Sequence, residues 1–219
     1  MDITWHGHSC FTLKGKKATV VVDPFSDKGF SPEKLKGDIV LVSLVGAEKL
    51  ISVAGTSSGA EPVIFDLPGE YEVKEVAMQG IQAWTQPKSE EEKSGEKSPK
   101  TTIFIMNFED FRICHLGSIG HTIPDEMIEK IGDVDILFVP VGGKDTLDAK
   151  KAHEVIEDIE PRIVIPMKYF VDEEKTPYDA VENILKLSGV NPERKDVFSI
   201  AKKADLPQEK TEYVVLNVK

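Results

Sequence analysis

TTIFIMNFEDFRICHLGSIGH, residues 101–121, is the turning point of this chain. Two apolar, β-prone runs, TTIFIMNF and FRICH, meet at Glu109-Asp110, a pattern that predicts an antiparallel hairpin. The segment CHLGSIGH (114–121) then closes the second strand with glycine, serine and two histidines, His115 and His121. The chain before this hairpin reads as strands, and the chain after it alternates strands with helices.

Upstream, CFTLKGKKATVVVDP (10–24) is a second hairpin pattern turning at Gly15-Lys16-Lys17, and DIVLVS (38–43) and PVIFD (62–66) are short buried-strand runs. VAMQGIQAW (76–84) continues the series. QPKSEEEKSGEKSPK (86–100) is nearly all charged or small, so it predicts a mobile loop at a hairpin tip. Downstream, PDEMIEKIG (124–132) carries Pro and acids at a helix start and Gly at its end. DILFVPV (135–141) and RIVIPM (162–167) read as strands. DAKKAHEVIEDIEP (148–161) puts Ala149, Ala152, Val155, Ile156 and Ile159 on one helical face, with His153 beside it and expected at the surface. PYDAVENILKLSG (177–189) predicts a helix, and VFSIA and EYVVLNV closing strands. The order implies an α/β fold, two sheets packed together with helices outside, in one domain over 1–219.

Composition bounds the partners. With 38 Asp and Glu against 27 Lys and Arg, the net charge of −11 argues against nucleic acid, which needs clustered cations. No apolar run reaches the roughly 18 residues of a membrane span. MDITWHGHSC lacks the basic-then-apolar order of a signal peptide. Two cysteines, Cys10 and Cys114, give no disulfide framework, so a cytoplasmic protein is expected.

Four of the five histidines fall in two loop-like segments, WHGHSC (5–10) and CHLGSIGH. Glycine-containing turns at strand ends are where α/β proteins place sites, so a shared pocket is expected. If residues 6–10 are extended, His6, His8 and Cys10 point to one face, which suits packing as well as metal ligation.

The order of WHGHSCF, VVVDPF (20–25), DIVLVS, PGEYEV (68–73) with QGI (79–81), CHLGSIGH, DVDILFVPVGGKDTLDAKKA (133–152) and PRIVIPMKY (161–169) resembles the metallo-β-lactamase superfamily. The likeness is to its branch of small metal-dependent hydrolases related to ascorbate-phosphate lactonases. It spans nearly the whole chain and implies an αββα sandwich with the site along one edge of the sheets. The reaction it implies is metal-assisted hydrolysis, in which one or two divalent ions, such as zinc, make hydroxide near neutral pH.

The ligand positions implied by the resemblance are mostly changed. The family's HxHxDH loop falls on Leu44, Gly46, Glu48 and Lys49, so that only Glu48 remains a plausible ligand. The next histidine falls near Trp84 and Thr85, the bridging aspartate of HLGD on Ser118, and the last histidine, of PMHY, on Lys168. A zinc centre needs about four ligands, at least three from protein, so no metal is expected. His8, Ser9, Asp23, His115, Gly117, His121 and Tyr169 keep family positions, and with His6 form an expected remnant pocket.

Three readings follow. In the first, the chain is a non-catalytic relative in which Lys49 and Lys168 pair with Glu48 and Asp23 and replace the metal charge. In the second, Lys49, Lys168, His115 and His8 hold a small anion such as a phosphate or carboxylate. In the third, His6, His8, Cys10, Asp23, Cys114 and His115 form a displaced metal site, or a Cys–His pair attacks an ester. The first is favoured, with an anion pocket retained; the alternative is a zinc or other divalent-metal hydrolase of a phosphorylated, lactone or ester metabolite. A dimer, or assembly with a catalytically intact paralogue, is compatible with the composition.

Overall fold

The computed structural model describes residues 1–25, 34–44, 53–56, 59–85, 100–171 and 177–219. The expected loop at 86–100 lies outside the described residues except for Lys100, the first residue of a strand.

Fifteen described strands form two main sheets and a small ladder. The first sheet contains β1 (Asp2–Trp5), β2 (Phe11–Lys14), β3 (Thr19–Val22), β4 (Ile39–Leu41) and β5 (Val63–Phe65), with the late β13 (Phe198–Ser199) beside β1. The second contains β6 (Gly69–Val73), β7 (Val76–Trp84), β8 (Lys100–Phe108), β9 (Phe111–His115), β10 (Ile136–Pro140), β11 (Ile163–Met167) and β14 (Glu212–Tyr213). The hairpin at Glu109-Asp110 forms as expected, with Phe108 opposite Phe111. Both of its turn residues hold left-handed backbone. β12 (Arg194–Lys195) and β15 (Val215–Leu216) make the two-stranded ladder.

Each main sheet changes from antiparallel to parallel pairing along its width. In the first, β1–β2–β3 are antiparallel and β3–β4–β5 parallel. In the second, β6–β7–β8–β9 form an antiparallel meander, and β9–β10–β11–β14 are parallel. Parallel neighbours need crossovers, and the second half supplies helices for them. These are α1 (Asp125–Ile131), between β9 and β10, and α2 (Ala149–Ile159), between β10 and β11. Asp148 caps α2 by accepting from the Lys151 N–H at 2.9 Å, and Ala152, Val155, Ile156 and Ile159 are buried, the face expected from the period.

Several elements depart from expectation. The helix predicted over 177–189 is only α3 (Glu182–Leu187). Asp179 donates its N–H to Gly142 and accepts from Phe170 N–H, so this backbone is tied to the loops after β10 and β11 and cannot wind. EYVVLNV splits, because β14 pairs with β11 while β15 leaves for β12 and Val218 bridges Trp5. His153 is half-buried between helices, 3.5 Å from Ser188 Oγ and 3.6 Å from Glu157, rather than free at the surface.

One core cluster draws on both sheets, with Phe11 and Phe138 rings 4.4 Å apart. In β3, Val20 and Val22 join it while Val21 packs on the other face with Cys10, Leu35, Val40 and Val42. The centre of the first sheet, β3 and β4, is therefore buried on both faces, as its unbroken apolar runs require. β5 departs from the buried strand expected of PVIFD: it lies at the sheet edge with Val63 and Ile64 exposed. No described helix is long and apolar enough to cross a membrane.

Candidate functional site

The parallel strands of both sheets end at the same side. Beyond those carboxyl ends lie Asp23 after β3, Ser43 after β4, Ser118 after β9, Gly142 after β10 and Lys168 after β11. Open parallel sheets place ligands outside these ends, where loops diverge. The sheets are joined there too: Leu44 bridges Thr101, and Thr102 donates its N–H to Ser43 O at 2.7 Å.

WHGHSC is a tight turn, not an extended run. His6 and Cys10 close it by His6 N–H to Cys10 O at 2.8 Å and Cys10 N–H to Gly7 O at 2.9 Å. Gly7 and His8 hold positive φ, which turns the three side chains apart. His6 Nε2 goes to Thr12 Oγ1 at 2.8 Å, Cys10 sits in the outer-face cluster, and the His8 ring meets Tyr178 edge-on at 5.7 Å. The displaced metal site expected of His6, His8 and Cys10 does not form. Its remaining expected members are no better placed, since Cys114 and Cys10 are buried thiols. Burial pushes Cys114 up to about 12, against the pull of Arg112, and pushes Cys10 up with help from Asp23.

The centre is built from pairs made across long sequence distances. Lys168 Nζ donates to Ser118 Oγ at 2.6 Å, and the two residues are 7% and 2% exposed. The Lys168 N–H donates to His8 O at 3.1 Å, and Nζ stands 5.9 Å from the Tyr178 ring. The Ser118 N–H is fixed on Thr101 Oγ1 at 3.0 Å. Asp23 accepts from both the N–H and the hydroxyl of Ser43, each at 2.6 Å. His115, fully buried, accepts from Gly117 N–H at Nδ1 (3.2 Å), which assigns the Nε2 proton to its contact with Ser9 O at 3.1 Å. Burial lowers the His115 pKa, with Lys168 adding to the effect and Asp23 opposing it, so the ring is held neutral.

The backbone at this centre is strained. His8, Asp23 and Lys168 all adopt left-handed φ, near 50°, a state costing of order 1 kcal/mol or more for a residue with a side chain. Two glycines are obligatory. A Cβ on Gly117, itself left-handed, would stand 2.5 Å from Thr101 Oγ1, and one on Gly142 would stand 2.0 Å from Lys168 O.

Of the positions singled out in the sequence, Ser118, Lys168, His115 and Asp23 converge. Leu44 is taken up by the bridge between sheets, and Thr85 is buried at the end of β7. His121 lies at the margin, its Nδ1–H donating to Thr122 O at 2.7 Å while Trp84 N–H reaches Nε2 at 3.4 Å. Two expected pocket residues turn elsewhere. Tyr169 donates its hydroxyl to Leu216 O at 3.0 Å and packs on Trp5, and burial pushes it up to about 12. His6 is lowered to about 4 by burial and by Lys219. The neutral His115, both nitrogens engaged, brings no charge to the expected anion pocket. Of the expected lysine–carboxylate cluster, the described part shows Lys168 donating to the Ser118 hydroxyl and Asp23 accepting from Ser43. Gly46, Glu48 and Lys49 lie outside the described residues. Ser43 and Thr101 were not singled out in the sequence; their only signal is their place at strand ends.

Among the described residues, no three His, Cys, Asp or Glu side chains group so as to hold a metal ion. Asp23 and His115 already have partners for their donor atoms, and an ammonium group occupies the contact with Ser118. The described residues therefore do not fit a divalent ion.

A family model for a β-lactamase superfamily domain matches residues 2–168. A metal-dependent hydrolase from Thermoplasma acidophilum is 30% identical over 193 residues, covering 77% of this chain and 83% of that protein. One from Archaeoglobus fulgidus is 26% identical over 219 residues, covering 88% and 94%. Among solved structures, a candidate Zn-dependent hydrolase of the metallo-β-lactamase superfamily from Thermotoga maritima superposes with a TM-score of 0.77 at 30% identity, over 99% of this chain and all of that one. These names favour a metal-dependent hydrolase over the metal-free expectation, while the described donor set does not supply the ligands. Domain match, fold and sequence order agree on one point: the chain belongs to the metallo-β-lactamase superfamily.

Proposed function

We propose that this chain keeps the fold of its superfamily without the divalent-metal chemistry, and that its centre takes a small anionic ligand. The observation carrying this reading is the buried 2.6 Å contact of Lys168 with Ser118. Both residues stand where the resemblance puts metal ligands, and an ammonium group there supplies positive charge without a metal. A cation held in a low-dielectric setting attracts phosphate or carboxylate more strongly than one in water. Elemental analysis of the purified protein tests the first half, with substoichiometric zinc, iron and manganese expected even after incubation with each ion. Thermal shift with inorganic phosphate and with acetate tests the second: a rise in Tm is expected in the wild type and not in Lys168→Met.

A second reading has the names of the relatives behind it, a metal-dependent hydrolase of a phosphorylated, lactone or ester metabolite. Glu48, within the ligand loop, is its best-placed donor by sequence. Stoichiometric metal together with a hydrolytic activity lost on chelation would establish it and displace the first.

A further inference from the structure

The geometry points to a Ser118–Lys168 nucleophilic dyad: a hydrolytic centre that cleaves small esters or lactones through an acyl-serine, with Lys168 as general base. It rests on the metal-free reading of the same site and gives that site a reaction.

Four observations carry it. The two reactive atoms are at hydrogen-bond distance, the first geometric requirement for a nucleophile and its base. The serine is fixed by its surroundings rather than by its base: its N–H is bonded to Thr101, and His115 holds the N–H of the preceding left-handed Gly117. Lys168 is likewise anchored through its backbone to His8 and packed against the Tyr178 ring. Finally, the pair lies where the carboxyl ends of both sheets meet, and Ser118 is 2% exposed, which restricts the reachable substrate to a short acyl group.

In the structure Nζ donates to Oγ. The reactive form has lost that proton to solvent, so that the Ser118 O–H donates to an uncharged Nζ. Oγ bonds to the acyl carbon as its proton passes to Nζ. The bond from acyl carbon to alkoxy oxygen then breaks, and the ammonium returns the proton to the departing alkoxide. Water, the co-substrate, attacks the acyl-serine, giving its proton to Nζ. As the acyl–serine bond breaks, that proton passes to Oγ, so a carboxylic acid leaves and Ser118 is restored. A lysine base replaces the histidine of the commoner triad without changing the proton accounting. His115, engaged at both nitrogens, is a positioning residue here.

Methanesulfonyl fluoride is small enough to probe the pair. The expected result is one adduct on the full-length protein, mapped by mass spectrometry to Ser118, in the same sample shown to be metal-free. Labelling should rise with pH as Lys168 loses its proton, disappear in Ser118→Ala, and slow by about 100-fold or more in Lys168→Arg, which keeps the charge and contact but cannot act as a base. Should the Lys168 variant fail to fold, Ser118→Cys decides: alkylation of residue 118 by iodoacetamide is expected, and its absence overturns the dyad. A metal-free protein with no adduct at Ser118, or with labelling unchanged in Lys168→Arg, also overturns the dyad and leaves the Ser118–Lys168 contact a structural one. Stoichiometric metal in the purified protein overturns the metal-free reading itself and the dyad with it.

Discussion

Asp38, just before β4, accepts from Lys74 Nζ at 2.6 Å; Lys168, just after β11, donates to Ser118 at 2.6 Å. These two contacts lie at opposite ends of the sandwich, and both rest on a buried polar group. At the Asp38 end the lysine meets a carboxylate and the pair links the sheets, since Lys74 belongs to the β6–β7 turn. Thr56 Oγ1 and Thr19 N–H also donate to Asp38. Burial alone would raise this carboxyl, but those partners outweigh it and hold its pKa below the usual value. A cleft of about 660 Å³ opens at the same end, with the ion pair of Lys17 and Glu75 in its lining. At the other end Lys168 sits on a hydroxyl and the nearby carboxylate, Asp23, is already held by Ser43. An ionic link between the sheets is thus in place at the Asp38 end. One lysine is placed to hold the fold, the other to meet a weak acid that a base can deprotonate.

The difference can be broken by experiment. Asp38→Ala orphans Thr19 N–H and Lys74, and should cost about 2 to 3 kcal/mol, the Lys74 share discounted for its partial exposure. Ser118→Ala takes one hydrogen-bond partner from the buried Lys168 ammonium and should cost less, about 1.5 kcal/mol. Urea midpoints of the two variants measure this, and equal losses would mean that the Ser118 contact is structural as well.

The two ends also differ in how closely the backbone is approached. Gly117 and Gly132 both hold positive φ, Gly132 with an extended ψ of −162° that favours glycine, but a Cβ on Gly132 would meet nothing nearer than 3.6 Å, against 2.5 Å at Gly117. Gly132→Ala should therefore cost about 1 to 2 kcal/mol from backbone strain alone, and Gly117→Ala about 3 kcal/mol, strain and clash together, with displacement of Ser118. Equal denaturation midpoints would remove the case for a tightly built centre.

The smallest effect concerns pH. His6 falls from 6.5 unfolded to about 4 folded, so the unfolded chain binds the extra proton and stability drops as pH falls from 6.5 towards about 4. The lowered His115 acts in the same direction. Asp38, lowered from 3.8, loses its contribution only below that value. The expected signature is a Tm lower by about 4 °C between pH 7 and pH 5, with His6→Gln removing part of the slope and Asp38→Ala leaving it intact.

The sequence carried the β8–β9 hairpin and the buried face of α2 through simple periodicity. Ser118 and Lys168 stood out because the resemblance implies metal ligands at their positions. What it hid depends on backbone handedness and on distant partners. WHGHSC looks extended until Gly7 and His8 turn left-handed. Asp38 reads as the plain start of a strand, because nothing local marks Lys74 as its partner. Ser43 was invisible for the same reason: its role exists only once β3 and β4 lie side by side.

The pairs at the carboxyl ends join residues far apart in the chain, 20 residues for Asp23 with Ser43, 50 for Ser118 with Lys168 and 106 for His115 with Ser9. The β6–β9 meander, by contrast, closes through neighbouring strands. Loop-closure entropy delays contacts of high sequence separation, so the meander is expected to form early and the centre among the last. Ser118 and Lys168 can meet only after β9, β10 and β11 have paired. A newly made chain therefore carries an inert serine until the parallel part of its second sheet has formed.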